Sequence, residues 1–117
     1  MNWNTTSLAL VTVLGLSVGQ ILFKFAAMGM VGSAPLWLLV LRNNYLWFAL
    51  LVYGVATVLW IALLRQTPLR LAYPFVGLAF VIVPILAHIF LDEPLRWQGI
   101  AGAGLISLGI WVSTVSG

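Results

Sequence analysis

Charged residues are scarce in this chain of 117 residues: lysine, arginine, aspartate and glutamate together make up 6% of it, and cysteine is absent. Without cysteine, the chain can form neither a disulfide framework nor a thiolate metal site. One histidine and two acidic residues are too few for a four-coordinate site, so we expect no metal and no cofactor. The net charge of +3 is too small and too scattered for a nucleic-acid-binding surface. These shortages exclude disulfide-rich scaffolds, metalloproteins and nucleic-acid-binding modules.

Hydrophobic residues dominate instead, at 63% of the chain with a mean hydropathy of +1.15. Several apolar stretches exceed the roughly 18 residues that mark a membrane span. We therefore expect an all-α integral membrane protein, with a single four-helix transmembrane domain over residues 1–117. The predicted spans are residues 7–28, 46–64, 73–91 and 98–115.

The basic residues of the loops are almost evenly divided between the two sides of the membrane. Four spans place Arg65 and Arg70 on one side and Arg42 and Arg96 on the other, with Lys24 near the second side. Because loop Lys and Arg residues set orientation, this near balance permits insertion in both directions. It is compatible with an antiparallel homodimer, and equally with an orientation fixed by a different partner subunit.

The fourth span carries small residues at a regular spacing. Gly99, Ala103 and Ser107 recur every four residues, so they share one helix face, and such stripes let helix backbones approach closely in lipid. A bundle of four helices is too thin to enclose a substrate path, so a transport function implies at least a dimer. The stripe therefore predicts either a dimer interface or a packing surface within the monomer.

Lys24 is the clearest polar residue within a predicted span, and Gln20 precedes it by four residues, which places both on one face of the first helix. Ionisable residues are costly in lipid and mark functional sites there. One interpretation is that Lys24 extends its ammonium to the membrane surface. The other is that it faces a cavity and, with Gln20, binds a phosphate or carboxylate of a substrate.

The predicted third span opens with Tyr73 and Pro74, where free backbone N–H groups of a first turn would attract an anion. Arg70 would add a second cationic contact, unless it is simply a solvated loop residue. Pro84 lies in the middle of the span and removes a hydrogen bond to the carbonyl of Phe80, so we expect a kink there. This kink is either a hinge for transport or a passive bend.

The sequence offers no constellation for catalysis. It has no nucleophile beside a base, no paired carboxylates across a cleft and no phosphate-binding glycine loop. We therefore expect a transporter that interacts with membrane lipid and not an enzyme.

Three motifs resemble the drug/metabolite transporter superfamily over nearly the whole chain. They are Gly19-Gln20 followed by Lys24, Leu71-Ala72-Tyr73-Pro74, and Leu91-Asp92-Glu93-Pro94-Leu95 ahead of a glycine-rich fourth span. Within the superfamily, the chain is most similar to the small EamA-like subunits of undecaprenyl phosphate-aminoarabinose flippases. The resemblance implies a flippase or flippase subunit that moves a polyprenyl-phosphate-linked sugar or a similar anionic lipid across the bacterial inner membrane. It further implies a part in lipid A modification and in resistance to antimicrobial peptides.

For Glu93, the resemblance implies a structural or gating role, which includes pairing with Arg96; the alternative is a solvated loop acid. The chain is also similar to small multidrug resistance exporters of organic cations, which carry a glutamate in the first span. Here that region reads Leu14-Gly15-Leu16-Ser17, without a carboxylate, which weakens this alternative. A third possibility is a noncatalytic accessory subunit of a membrane glycosylation complex. The sequence leaves open whether the dimer is a homodimer or a heterodimer with a similar small subunit.

Overall fold

The computed structural model describes residues 3–115, and this part of the chain is built from helices alone. The helices are α1 (Trp3–Met28), α2 (Leu36–Arg42), α3 (Asn44–Leu64), α4 (Leu69–Val76), α5 (Ala79–Leu91) and α6 (Trp97–Val115). Within residues 3–115, four segments are long and apolar enough to cross a membrane: α1, α3, the consecutive pair α4 and α5, and α6. The predicted all-α fold with four membrane spans is confirmed.

The third span begins at Leu69, four residues before the predicted start at Tyr73. Pro68 precedes the helix, and its carbonyl accepts hydrogen bonds from the N–H groups of Leu71 and Ala72 at 3.0 and 3.1 Å. Proline is well suited to this place because it has no N–H to leave unsatisfied. The prediction that Pro74 lies in the first turn is therefore wrong, because Pro74 lies in the second turn of α4. It is not surrounded by the free N–H groups that an anion site at a first turn would require.

The third span is interrupted at Gly77 and Leu78, which separate α4 from α5. Their N–H groups donate to the carbonyls of Pro74 and Phe75, both at 3.0 Å, which are bonds of three-residue spacing and thus a tighter turn than an α-helix. The interruption lies one turn after Pro74. Pro84, in contrast, lies inside the helical segment α5.

The most extensive contact between helices joins α1 and α3 through small residues. A Cβ atom built on Gly15 would lie 3.1 Å from the Cβ of Ala56, and one on Gly19 would lie 3.0 Å from Cδ2 of Tyr53. Both distances are too short for a comfortable contact, so the glycines are what allow this approach.

Asn43 connects the end of α1 to the beginning of α3. Its Oδ1 accepts a hydrogen bond from the Leu46 N–H at 3.1 Å, and its Nδ2 donates to the Ala26 carbonyl. The first contact caps α3, and the second adds a donor to the Ala26 carbonyl, which also accepts a hydrogen bond from the Gly29 N–H at 3.1 Å at the end of α1. One side chain therefore fixes both ends of the connection between the first two spans.

Most large apolar side chains are exposed on this single chain, as expected for helices that lie in lipid. Ten apolar residues of the described chain are buried, and three of them, Ala9, Leu63 and Ala72, form a cluster that joins α1, α3 and α4. Helix α6 contributes no buried residue. The described chain measures 53 × 36 × 19 Å along its principal axes, so it is a flat slab with open faces.

Replacement of Asn43 by Ala should lower the free energy of unfolding by about 1–2 kcal/mol, because α3 loses its cap and the Ala26 carbonyl loses one of its two donors. Asn43→Ser keeps a capping oxygen but is too short to reach Ala26, so we expect an intermediate value. Unfolding by sodium dodecyl sulfate in mixed micelles, followed by tryptophan fluorescence, measures the difference. Equal stability of wild type and Asn43→Ala would contradict the assigned role.

Gly19→Leu should weaken the contact between α1 and α3, because the new side chain collides with Tyr53. Gly54→Leu is the matched control, since a Cβ at Gly54 has no atom within 4 Å. Both substitutions raise helix propensity, so the difference in stability between the two variants reports the packing of α1 against α3. We expect Gly19→Leu to be less stable than Gly54→Leu by about 1–3 kcal/mol. Thermal unfolding in detergent measures it, and indistinguishable midpoints for the two variants would refute the close-packing account.

Candidate functional site

Gln20 lines an open groove between α1 and α5. The groove has a volume of about 360 Å³, and its other described walls are Ala79, Phe80, Val83 and Pro84. Among these lining residues, Gln20 is the one with a polar side chain. Its amide offers both donors and an acceptor, so the groove combines an apolar wall with one hydrogen-bonding group.

Pro84 changes the chemistry of the opposite wall. Because proline has no N–H, the carbonyl of Phe80 lacks the donor that an ordinary residue would provide four positions later. A backbone carbonyl without its helical donor seeks another partner in a membrane. Because Phe80 and Pro84 both line the groove, Gln20 lies opposite the point where α5 lacks this hydrogen bond.

Lys24 lies four residues after Gln20 on the same face of α1, one turn before the helix ends at Met28. Its side chain is exposed and is not among the residues that line the Gln20 groove. The Cα of Lys24 therefore lies about 6 Å farther along α1 than the Cα of Gln20. The structure keeps these two predicted substrate-binding residues next to each other.

Arg70 and Tyr73 lie elsewhere. Helices α1 and α5 run in the same direction, since Gln20 faces Phe80 while the later Phe25 shares a groove with Phe90. Tyr73 precedes Phe80 by seven residues, which places it about 10 Å closer to the opposite membrane surface than Gln20.

Tyr73 instead contacts Trp60 of α3 edge to face, with 6.4 Å between the ring centroids. Tyr73 and Arg70 are both exposed at the beginning of the third span. The structure thus divides the four predicted substrate-binding residues into two pairs at different depths.

The end of α5 is fixed by His88 and Asp92. Asp92 adopts a left-handed conformation, with φ 54° and ψ 27°, which lets the Glu93 N–H donate to the Ala87 carbonyl at 3.3 Å. The His88 ring donates from Nδ1 to the Glu93 carbonyl at 2.8 Å. Sequence reasoning missed this capping role of His88, although a histidine in the last turn of a helix was a signal for it.

The predicted ion pair between Glu93 and Arg96 is absent within residues 3–115. Residues 92–96 form no helix, so the two side chains do not share a helix face. Both side chains are exposed. Glu93 contributes to the structure through its backbone, which the His88 ring and the Ala87 carbonyl hold in place.

The small-residue stripe of α6 faces the chain's own α5. Gly99 and Ala103 line a second groove between α5 and α6, and Ser107 is half-buried and donates from Oγ to the Ala103 carbonyl at 2.8 Å. Of the two interpretations of the stripe, this geometry corresponds to a surface turned toward the monomer.

Comparison with known proteins places the chain in a family. It is 33% identical to the probable 4-amino-4-deoxy-L-arabinose-phosphoundecaprenol flippase subunit ArnE of Pseudomonas paraeruginosa over 107 residues, which are 91% of this chain and 93% of the relative. The ArnE protein of Pseudomonas aeruginosa matches at the same identity and coverage. The chain belongs to the ArnE family. The ArnE protein of Pseudomonas savastanoi is 32% identical over 94 residues, which are 80% of this chain and 82% of the relative.

Membership of the ArnE family confirms the resemblance drawn from the three motifs, and with the four spans it identifies a multi-pass inner-membrane protein. These ArnE relatives are named as flippase subunits, which are transporters and not catalysts. No protein-family model matches the chain. No solved structure matches it either.

Pro84→Ala should restore a helical hydrogen bond to the Phe80 carbonyl. We expect slower hydrogen exchange in α5 and a free energy of unfolding higher by about 1–3 kcal/mol. Pro94→Ala is the control, because Pro94 lies outside the helices and deprives no helical carbonyl of a donor. Exchange by mass spectrometry in detergent measures both. Faster exchange of α5 in Pro84→Ala would show that the Phe80 carbonyl is not an available acceptor.

Proposed function

We propose that this chain is a subunit of a flippase that moves a polyprenyl-phosphate-linked amino sugar across the inner membrane. The ArnE relatives are named for 4-amino-4-deoxy-L-arabinose-phosphoundecaprenol, which joins an amino sugar, a phosphate and a long hydrocarbon chain. The observation that supports this function most strongly is the Gln20 groove, open to the side and adjacent to Lys24. A site of this kind suits a polar headgroup whose chain remains in lipid.

The headgroup carries charges of both signs, because its amine is protonated near neutral pH and its phosphate is anionic. Lys24 supplies a cation for the phosphate. The side-chain oxygen of Gln20 and the carbonyl of Phe80 supply neutral acceptors for the ammonium. The first span contains no acidic residue, so the site has no fixed negative charge that would prefer a simple organic cation.

The barrier to transport is the desolvation of the headgroup in hydrocarbon. Hydrogen bonds donated by Lys24 and Gln20 and accepted by the Phe80 carbonyl would replace part of the lost hydration at intermediate depth, while the groove's open side leaves the hydrocarbon chain outside. No covalent bond changes in this process. The chain therefore acts by solvating a charged group within the membrane.

A single chain leaves the groove exposed to lipid on one side, so the flippase requires a second subunit to close it. The flat shape of the described chain and the word subunit in the names of its relatives both support an assembly. We propose a dimer with a second small four-span chain, either another copy in antiparallel orientation or a similar protein. The small residues Gly99, Ala103 and Ser107 stay candidates for that interface only if α6 rotates or moves away from α5.

Lys24→Ala should reduce flipping about ten- to hundredfold, because a charged hydrogen bond to phosphate is lost, whereas Lys24→Arg keeps the charge and should retain most activity. The measurement is protection of a short-chain polyprenyl phosphate-aminoarabinose from an external reagent in proteoliposomes. Arg42→Ala is the matched control, since Arg42 is an exposed cation on α2, at the end of the first loop. Full activity of Lys24→Ala, or inhibition of wild type by a quaternary ammonium compound alone, would favour an accessory or multidrug role instead.

A further inference from the structure

The second groove, between α5 and α6, lies beside the groove at Gln20 and shares Phe80 and Pro84 with it. Its volume is about 730 Å³, and its walls are almost entirely apolar. Phe80, Pro84 and Ile85 form the α5 side, and Gly99 and Ala103 form the α6 side. The lining residues span about one and a half turns of each helix.

Small residues give this groove its depth. A Cβ atom on Gly99 would meet no atom within 4 Å, so the space beside it is open. The residues on the opposite face of α6, such as Leu105 and Leu108, are larger and strongly exposed. The α6 helix therefore presents its thinnest face to α5 without filling the space between them.

Arg96 lies at the mouth of the groove, immediately before α6 begins at Trp97. It is the one charged residue among the described lining residues, and Gln98 lies beside it. Within residues 3–115, neither Asp92 nor Glu93 forms an ion pair with Arg96. Its guanidinium is thus free to bind an anion in the bidentate geometry that phosphate favours.

We propose that this groove binds a single-chain lipid phosphate, with the hydrocarbon chain along Gly99 and Ala103 and the phosphate on Arg96. The proposal rests on the proposed function, because it gives the polyprenyl phosphate a docking site before its headgroup reaches Gln20. An apolar transmembrane helix in the same groove would cover the apolar walls but would offer no anion to the Arg96 guanidinium. A lipid phosphate supplies both the apolar chain and the compensating charge.

The location suits a loading site. Phe80 and Pro84 form a wall of both grooves, so the docked lipid lies on α5 directly across from the Gln20 groove. Arg96 lies at the membrane surface where α1 ends, which is also the end that carries Lys24. A phosphate held at Arg96 is therefore on the correct side to pass to Lys24.

The test is direct binding of a short-chain polyprenyl phosphate to the protein in nanodiscs of neutral phospholipid, measured by native mass spectrometry. Arg96→Ala should weaken binding about ten- to hundredfold. Ala103→Phe should weaken it by a similar factor because it fills the groove. Ala101→Phe is the matched control on the exposed opposite face of the same helix and should bind normally. Gel filtration confirms that each variant keeps its size.

Three competitors identify the ligand. We expect the uncharged polyprenol to bind weakly and without dependence on Arg96, and we expect inorganic phosphate and phosphatidylglycerol not to compete. Competition by either phosphate or phosphatidylglycerol at the affinity of the polyprenyl phosphate would overturn the assignment. Equal binding by Ala103→Phe and Ala101→Phe would overturn the location.

Binding is measured without transport, so the two proposals fail separately. Suppose that lipid binding depends on Arg96 and Ala103 in a protein that, with its partner, does not flip lipid. That result would contradict the proposed function and would still support the lipid site in the groove. If Arg96→Ala and Ala103→Phe leave both lipid binding and flipping unchanged, the assignment of the groove fails and the proposed function is unaffected.

Discussion

In hydrocarbon, a backbone N–H or carbonyl group without a partner costs several kcal/mol, and the rest of this structure follows from that constraint. It explains why the spans of the described chain are helical, with the interruption at Gly77 and Leu78 closed by hydrogen bonds of a tighter turn. It also explains why hydroxyls such as those of Thr12 and Ser17 donate to carbonyls of their own helix, at 2.7 and 2.8 Å. The Asn43 side chain likewise forms hydrogen bonds with backbone groups where α1 ends and α3 begins. Against this background, the missing N–H of Pro84, in the groove that Gln20 lines, is an exception, and exceptions in a membrane mark sites of function.

Close packing replaces hydrophobic burial as the force that joins these helices, because lipid is as apolar as the side chains. Gly15 and Gly19 let α1 approach α3, and this pair forms the rigid part of the slab. At the other edge, Gly77 meets Ile110 of α6, where a Cβ would lie 3.3 Å from Cδ1 of the isoleucine. Between that contact and the loop at Arg96, α6 stands away from α5. The molecule therefore combines one tightly packed pair of helices with one loosely attached helix.

The spans were predictable because length and hydropathy report the thickness of the membrane directly. The start of the third span was not, since hydropathy assigned Leu69 to the polar loop while the position of Pro68 decides where the helix begins. The shared face of Gln20 and Lys24 followed from helical spacing within one element. The separation of Tyr73 from that pair, and the orientation of the Gly99 and Ala103 stripe, depend on how two helices meet. No single helix carries that information, so sequence reasoning left it open or missed it.

Phe80 forms a wall of both grooves, and this has a thermodynamic consequence. If a ligand in one groove changes the position of this ring, the occupancies of the two grooves are linked, and each ligand alters the affinity of the other by the same factor. If the ring position that suits a ligand in one groove blocks the other groove, the two grooves cannot be occupied at the same time. A single aromatic side chain would then order the steps of a cycle, without any movement of the helices that carry it.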